Sequence, residues 1–333
     1  MGSHRATITA DQTDPNAVSV LPGGTSLGAV NRINARSGTT LNELIIMKYA
    51  SFSHANRHSW GVVEGDHVVD IGGVSGTAMP TLRRALALPQ AATLIKTAAN
   101  GAAKLRLSDI ALDPVITDPD KIICVGLNYE THRKETGRDA VQHPTIFTRF
   151  ANSQVGHNAP IIRPRSSTHF DFEGELAIVI GTPGRHITKE KSMAHIAGFS
   201  CYNDVSVRDW QRHTIQFTPG KNFMGTGPFG PYLVTPDEVG PLPNLRLLTR
   251  LNGQVVQETT LGDMIFDIPT IIAYCSAFTQ LEIGDVIVTG TPGGVGAKRT
   301  PPLWMKPGDV VEVEIDRVGL LRNTVVDEII AES

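Results

Sequence analysis

A short apolar run that follows three alternating acids is the feature that most restricts how this chain can fold. Residues 176–180 are apolar enough for a buried strand, and Asp171, Glu173 and Glu175 stand at every second position before them. If residues 171–180 form one strand, all three carboxylates project from the same side of it. An exposed acidic face on an antiparallel strand is the plain alternative. Charges that lead into a buried strand, however, are normally paired or bound to a metal ion.

A divalent-cation site is the chemistry that such acids favour. Carboxylate oxygens suit Mg²⁺, Mn²⁺ or Ca²⁺ better than zinc. The segment "CYNDVSVRDWQ" offers Asp204 and Asp209 as a further ligand, and Asp204 lies closer to the strand-like "GFSCY". In the alternative, Asn203 and its neighbours are turn formers only. The same segment carries Arg208 and Gln211, whose donors suit a carboxylate or keto oxygen.

The composition limits the class of protein. The chain has 333 residues, of which 41% are hydrophobic, and a formal net charge of -3 without a long basic run. This is a globular composition for one or two domains, and we expect a small-molecule partner rather than nucleic acid. No apolar run approaches the roughly 20 residues that cross a bilayer, so no membrane partner is expected. Three scattered cysteines without CxxC spacing predict a reducing compartment and a cytoplasmic location.

Three regions follow one another along the chain. Residues 1–46 are rich in Gly, Ser, Thr and Asn without a sustained period, which predicts a flexible N-terminal arm. Residues 47–117 form a small domain of short strands followed by the helical pattern of 81–107. Residues 118–331 contain many short β-rich runs between Gly, Pro and Asn turns, with a hairpin signal at Asn252-Gly253. The expected fold class is therefore α+β and mainly β.

Other segments carry weaker signals. His132 and Glu135 share a face if "GLNYETHRKETG" forms a helical turn, and a carboxylate that orients an imidazole can draw a proton from water. A solvated surface pair is the alternative. The GxGxxG of "GKNFMGTGPFGP" lacks the following helix of a dinucleotide site, so that site is not expected. Lys221 precedes this motif as a lone cation, and the glycines of "GTPGGVG" let Thr291 approach a ligand closely.

Taken in order, these segments resemble the fumarylacetoacetate hydrolase superfamily in its bacterial hydrolase, decarboxylase and hydratase forms. The resemblance covers about residues 47–330 and rests on "ICVGLNYETHRKE", "FDFEGELAIVIG", "YNDVSVRDWQ", "GKNFMGTGPFGP", "LEIGDVIVTGTPGGVG" and "PPLWMKPGDVVEVEIDRVGLLRN". It implies a C-terminal domain of the mixed β-sandwich roll type, a small N-terminal α/β domain and a homodimer.

The resemblance also implies roles for single residues. The metal ligands would be Glu173, Glu175 and Asp204, holding Mg²⁺ or Mn²⁺, with Ca²⁺ as a substitute in a crystal. His132 and Glu135 match a catalytic dyad on a mobile lid. The resemblance further implies a catalytic Lys221 and substrate contacts or supporting roles for Arg208, Gln211 and Thr291. Tyr129 and Arg149 are additional candidate substrate-binding residues.

Two positions depart from the pattern of the superfamily. Met224 stands where many members have Asp, and Leu127 stands where some acylpyruvate-cleaving members have Arg. We expect Arg149 or Arg208 to replace the second of these as a donor to a substrate carboxylate. Residues 130–145 are expected to form the lid that sets specificity.

The resulting prediction is a divalent-metal-dependent hydrolase that cleaves a carbon-carbon bond in an acylpyruvate-like 2-oxo or 1,3-diketo acid through a metal-bound enolate, in aromatic or sugar-acid catabolism. His132 would act as general base, held by Glu135, and Lys221 would stabilise the developing oxyanion. A decarboxylase, hydratase or isomerase on the same metal site is the first alternative. A non-catalytic binding protein with this fold is the second.

Overall fold

Strands carry most of the regular structure in the part of the chain that can be described. A computed structural model describes residues 47–76 and 78–329. The predicted arm at 1–46 lies outside these residues. The strands are β1 (Lys48–His54), β2 (Arg57–Glu64), β3 (His67–Asp70), β4 (Lys104–Arg106), β5 (Ala111–Leu112), β6 (Ile122–Gly126), β7 (Thr145–Arg149), β8 (Gln154–Val155), β9 (Ile161–Arg163), β10 (Phe170–Asp171), β11 (Gly174–Ile180), β12 (Ile196–Asn203), β13 (Ser206–Val207), β14 (Gly227–Val234), β15 (Arg246–Leu251), β16 (Gln254–Thr260), β17 (Val286–Val288), β18 (Val310–Ile315) and β19 (Gly319–Asp327).

The helices are short and connect these strands. The α-helices are α1 (Ile71–Ser75), α2 (Leu82–Leu86), α3 (Ala91–Ala99), α4 (Glu130–Thr136), α5 (Arg208–Gln211), α6 (Thr218–Lys221), α7 (Pro236–Val239) and α8 (Ile268–Phe278). Segments of 3₁₀ helix occur at Leu107–Asp109, Ala151–Ser153, Lys189–His195, Leu261–Asp263 and Gly296–Lys298. Within the described ranges, no helix has the length and apolar character needed to cross a bilayer.

One large sheet holds the buried acid-bearing strand near its middle. Its order is β4-β3-β2-β1-β14-β12-β11-β17-β6-β7, and β5 and β8 are attached beside β1 and β14. β11 is buried along its whole length and pairs with β12 on one side and β17 on the other. A continuous apolar run is what a strand flanked on both sides and covered on both faces requires. The sheet therefore accounts for the run at 176–180.

The second sheet covers one face of the first. Its order is β16-β15-β18-β19-β9. Side chains of β11 and β12 share one apolar core with those of β15, β18, β19 and α8. α8 begins after Asp267, whose side chain accepts a hydrogen bond from Thr270 N, and Pro269 stands in its first turn. The mainly-β α+β class predicted from the sequence is confirmed by this architecture.

The N-terminal segment joins the large sheet directly. β1 pairs antiparallel with β14, so Tyr49 lies opposite Leu233. All described residues lie within one compact unit. The predicted boundary between 47–117 and 118–331 stays a prediction, and residues 330 and 331 fall outside the described part.

The sequence predicted local structure correctly where the residue types of a turn determine its conformation. Asn252 and Gly253 have φ angles of 51° and 78° and join β15 to β16 as the predicted hairpin. The helical pattern of 81–107 forms α2 and α3, separated at Gln90, whose φ is 60°, but its last part forms strand β4 instead of helix. The three cysteines are unpaired and buried.

The acid-rich segment is not one continuous strand. Asp171 ends β10, which pairs with β13 in a separate two-stranded sheet, whereas Glu175 lies in β11. Phe172 and Glu173 lie between the two strands, and Glu173 O accepts a hydrogen bond of 2.8 Å from Asp204 N. The premise that all three acids share one strand face is therefore wrong, because the chain changes sheet between the first acid and the third.

Candidate metal centre

Three buried carboxylates converge where β11 and β12 meet. Glu173 precedes β11, Glu175 is its second residue, and Asp204 directly follows β12. One oxygen of each carboxylate lies within 4.8 Å of the other two. The pairing of Gly174 with Asn203 places these positions side by side, and Asn203 Oδ1 accepts a hydrogen bond of 3.0 Å from Glu173 N. The set is the one that the resemblance implied.

Lys221 lies between two of these carboxylates. Its Nζ donates to Glu173 Oε2 and to Asp204 Oδ2, each at 2.5 Å, and the residue is only 1% exposed. The same ammonium lies 5.0 Å from the ring centroid of Phe147, a cation-π contact. Lys221 is thus held at the cluster by charge on one side and by an aromatic face on the other.

Arg208 links Glu173 to the third acid of the sequence motif. Its Nε donates to Asp171 Oδ2 at 2.8 Å, and its Nη1 donates to Gln211 Oε1 at 3.0 Å. Its Nη2 lies 2.7 Å from Glu173 Oε1, an ion pair without the alignment of a hydrogen bond. Asp171 also accepts from Gly296 N at 2.8 Å and Ala297 N at 3.0 Å. Asp171 therefore holds Arg208 and a loop, away from the carboxylate cluster.

Arg149 lies behind the cluster. Its Nη1 donates to Asp204 Oδ1 at 2.6 Å and its Nη2 donates to Thr226 Oγ1 at 2.8 Å, and its side chain is fully buried. The guanidinium also lies 6.0 Å from the ring centroid of Tyr202. Because these partners occupy its donors, Arg149 positions Asp204. The geometry does not support the predicted contact with substrate.

The electrostatics of the two glutamates differ in direction. Burial opposes ionisation of Glu173, but Arg208 and Lys221 outweigh burial and hold its pKa below the usual range. Burial raises the pKa of Glu175 well above its usual range, and the charges of Asp204 and Glu173 raise it further. Glu175 Oε2 accepts a hydrogen bond of 2.5 Å from Gly290 N, which only partly offsets these effects. Negative charge is thus in excess around Glu175.

These residues fit a hard divalent cation. They offer three buried carboxylates and no sulfur or imidazole within the cluster, a donor set that suits Mg²⁺ or Mn²⁺. The raised pKa of Glu175 is the mark of a carboxylate that lacks sufficient positive charge nearby. A divalent cation held by Glu173, Glu175 and Asp204 would supply that charge.

His132 and Glu135 form the predicted pair on α4. His132 Nδ1 lies 2.6 Å from Glu135 Oε1. The other carboxylate oxygen of Glu135 accepts a hydrogen bond of 2.8 Å from Gly294 N, and Gly293 N donates to Thr131 Oγ1 at 3.0 Å. His132 is buried with a relative exposure of 6%. The alternative of a solvated surface pair therefore does not describe this contact.

One cavity of about 460 Å³ brings the cluster and the histidine together. Of the residues predicted for the site, those that line this cavity are His132, Glu173, Glu175, Asp204, Arg208, Gln211, Lys221 and Thr291. Glu135 lies behind His132, while Tyr129 and Arg149 do not line the cavity. Tyr129 is fully buried at the start of α4, and its hydroxyl has no hydrogen-bond partner among the described residues.

Two residues that hold the site were not identified from the sequence. Gln257 accepts from Gly174 N at 3.0 Å and donates to Thr291 Oγ1 at 2.8 Å and to Pro292 O at 2.9 Å. Asn128 donates to Thr289 O at 2.8 Å and accepts from Phe266 N at 2.7 Å. Both are buried amides that cross-link backbone segments. No local pattern distinguishes them from exposed amides, because their partners lie at least 34 positions away.

Comparisons with known proteins agree with this geometry. The model of the family described as "Fumarylacetoacetate (FAA) hydrolase C-terminal" matches residues 121–326. Human oxaloacetate tautomerase FAHD2A, named as mitochondrial, is 44% identical over 221 residues, which are 66% of this chain and 70% of the relative. The Xenopus laevis oxaloacetate tautomerase fahd2, also named as mitochondrial, is 37% identical over 297 residues, which are 88% of this chain and 93% of the relative.

Solved structures show the same fold. Fumarylacetoacetate hydrolase from Exiguobacterium antarcticum superposes with a TM-score of 0.75 at 35% identity, covering 85% of this chain and 100% of the other. Maleylpyruvate hydrolase from Sphingobium, solved in complex with manganese(II) ion and pyruvate, gives a TM-score of 0.71 at 28% identity, covering 85% and 100%. The carboxylate cluster and the His132–Glu135 pair lie inside the region that the family model matches.

Proposed function

Because the chain belongs to the fumarylacetoacetate hydrolase family, we propose that it is a divalent-metal-dependent enzyme that interconverts the enol and keto forms of a 2-oxo acid, with oxaloacetate as the first candidate substrate. The observation that carries this proposal is the position of His132 on the wall of the cavity that contains Glu173, Glu175 and Asp204. A carboxylate cluster for the cation and a base for the proton are the two parts that enolisation requires.

The cation would act as a Lewis acid towards the 2-oxo and carboxylate oxygens of the substrate. Around it, Arg149 and Lys221 hold Asp204, and Arg208 and Lys221 hold Glu173. These contacts orient the carboxylates. Lys221 Nζ lies 2.5 Å from Glu173 Oε2 and from Asp204 Oδ2, so it would share or yield these oxygens when a cation binds. Lys221 adds positive charge beside the substrate oxygens.

His132 and Glu135 would move the proton at the substrate carbon next to the keto group. In the tautomer with the proton on Nδ1, His132 donates to the carboxylate of Glu135, and Nε2 carries the lone pair that would take the proton from the substrate carbon. The same nitrogen returns the proton to carbon in the opposite direction. Gly294 N holds the second oxygen of Glu135 and so keeps the imidazole oriented. The enol oxygen gains or loses its own proton by exchange with solvent, so the protein needs one base at the carbon, whereas cleavage of a carbon-carbon bond also consumes a water molecule.

Hydrolysis of a carbon-carbon bond, the function first predicted from the sequence, is retained as the second candidate. It is favoured by the likeness to maleylpyruvate hydrolase, whose solved complex holds manganese(II) and pyruvate. The relatives that align over most of their length favour tautomerisation, since they are named oxaloacetate tautomerases. Their names also place them in mitochondria, so the cytoplasmic location predicted from the sequence remains a proposal, as does the homodimer.

An assay of both reactions on one preparation tests the proposal. Ultraviolet absorbance follows the decay of enol-oxaloacetate, and chromatography follows cleavage of acylpyruvates, each with Mg²⁺ or Mn²⁺ and each against metal alone. We expect rapid metal-dependent enol decay and slow cleavage. Cleavage of an acylpyruvate without acceleration of enol decay would favour the hydrolase instead. Acceleration of neither reaction would contradict both candidates.

A further inference from the structure

Three cations at the solvent end of the cavity have no evident structural task. Arg138, Arg212 and Lys298 line the same cavity as the carboxylate cluster, and all three are exposed. None of their side chains has an ion pair or hydrogen bond with another residue of the described ranges. Arg133, by contrast, lies five positions before Arg138, within α4, and pairs with Glu130 at 2.6 Å. The three cations therefore keep their full charge available at the cavity mouth.

The buried part of the cavity holds the carboxylates, whereas the described charged side chains at its exposed mouth are cations. The described Asp and Glu side chains on its wall are the three of the cluster, Glu173, Glu175 and Asp204, and all are buried. The buried cations Arg208 and Lys221 neutralise them in part. Apart from these three, no described carboxylate on the cavity wall neutralises Arg138, Arg212 and Lys298, although the whole chain carries a formal net charge of -3. The cavity mouth is therefore positively charged although the chain as a whole is negative, and this positive charge attracts an anion.

The wall also offers apolar surface to the chain of a substrate. Its apolar side chains are Val125, Leu127, Phe147, Ile215, Phe217 and Val295. Ile215 is 91% exposed although it lines the cavity, and it lies three positions from Arg212. A ligand anchored at the carboxylate cluster is therefore offered hydrocarbon surface as well as cations by the same wall.

We propose that Arg138, Arg212 and Lys298 form a subsite for the second carboxylate of a 2-oxo dicarboxylic acid. The 2-oxo acid end faces the carboxylate cluster, and the far carboxylate is bound by two guanidinium groups and one ammonium group. This deepens the proposed function, on which it rests, by naming residues that select dicarboxylic over monocarboxylic substrates. Arg138 lies in the segment 130–145 that the sequence predicted as the specificity lid.

Binding of a matched pair of stable ligands tests the subsite without depending on turnover. Calorimetry on the Mg²⁺-loaded protein compares 2-oxoglutarate with 2-oxopentanoate, which carries a methyl group in place of the far carboxylate. We expect the wild type to bind the dicarboxylate about 10-fold more tightly, because three exposed charges each contribute a modest, salt-screened attraction. The triple variant Arg138→Gln, Arg212→Gln, Lys298→Gln should lose this preference and keep its affinity for 2-oxopentanoate.

Controls separate the subsite from a general effect of charge or folding. Arg84→Gln and Lys191→Gln remove exposed cations that do not line the cavity, and they should leave the preference unchanged. Arg138→Lys with Arg212→Lys should retain part of it, since charge is kept. For oxaloacetate, the triple variant should raise KM about 10-fold with little change in kcat. A preference that survives in the triple variant, or its absence in the wild type, would overturn the subsite. Failure of the wild type to bind either ligand would instead contradict the proposed function.

Discussion

Glu175 is the residue whose setting is least favourable without a cation. Burial and two neighbouring carboxylates raise its pKa well above the usual range, whereas Arg208 and Lys221 hold the pKa of Glu173 below it. A group with a raised folded-state pKa stabilises the fold below its unfolded-state pKa, and that contribution is lost as pH rises towards the folded-state value. A metal ligand must be ionised, so any proton on Glu175 competes with binding of a cation.

Metal-induced stabilisation should therefore increase with pH. Between about pH 6 and pH 8 we expect the Tm of the metal-free protein to fall and the rise in Tm on adding Mn²⁺ to grow, because ionisation of Glu175 then costs less. Differential scanning fluorimetry with and without Mn²⁺ measures both trends. Glu175→Gln removes the titrating group and should abolish most of the metal effect at every pH. An equal Mn²⁺ effect at both pH values would argue against this role of Glu175.

At the scale of elements, the loop after β17 connects the two halves of the site. Gly290 N binds Glu175, Gly294 N binds Glu135, and Gly296 N binds Asp171. Arg299 closes the loop by donating to Gly294 O at 3.1 Å. The glycines that the sequence marked for close approach therefore contact carboxylates through their backbone amides. Backbone amides of this one loop therefore hold Asp171 of β10 and Glu135 of α4 in fixed positions relative to each other.

Removal of the charge of Asp171 should loosen the loop after β17. Asp171→Asn leaves Arg208 buried with Glu173 as its remaining carboxylate partner and weakens acceptance from Gly296 N and Ala297 N. Breaking a buried ion pair on one side costs about 3 kcal/mol or more, and urea unfolding measures it. As a matched control, Glu64→Gln breaks the exposed pair with Lys104 and should cost less than about 1 kcal/mol. Equal losses in the two variants would show that Asp171 does not brace the loop.

The sequence was informative about elements wherever chemistry is local. Asn252-Gly253 specified its hairpin through left-handed φ angles. Alternation at 171–175 was misleading, because it cannot report that β10 and β11 belong to different sheets. Which strands pair with one another depends on tertiary contacts, and a local pattern of residues does not encode these contacts.

At the scale of the whole molecule, the topology assembles the site from distant parts of the chain. β6 pairs parallel with β17, so the segment that leads to His132 lies beside the glycine loop that follows β17. The antiparallel pairing of β11 with β12 brings Asp204 to the two glutamates. The resemblance identified the cluster and the dyad because those motifs are short and ordered. Arg149 was expected to contact substrate, and only the folded structure shows that Asp204 and Thr226 occupy its donors.

Proton exchange at carbon tests the central claim most directly, because it reports the step assigned to His132 without depending on a product. Nuclear magnetic resonance in D₂O follows deuterium uptake at the carbon next to the keto group of oxaloacetate, with Mg²⁺ alone as the background. The wild type should accelerate exchange, and His132→Ala should reduce that acceleration roughly 100-fold or more while it still binds Mg²⁺. Undiminished exchange in a folded, Mg²⁺-binding His132→Ala protein would contradict the assignment of His132 as the base.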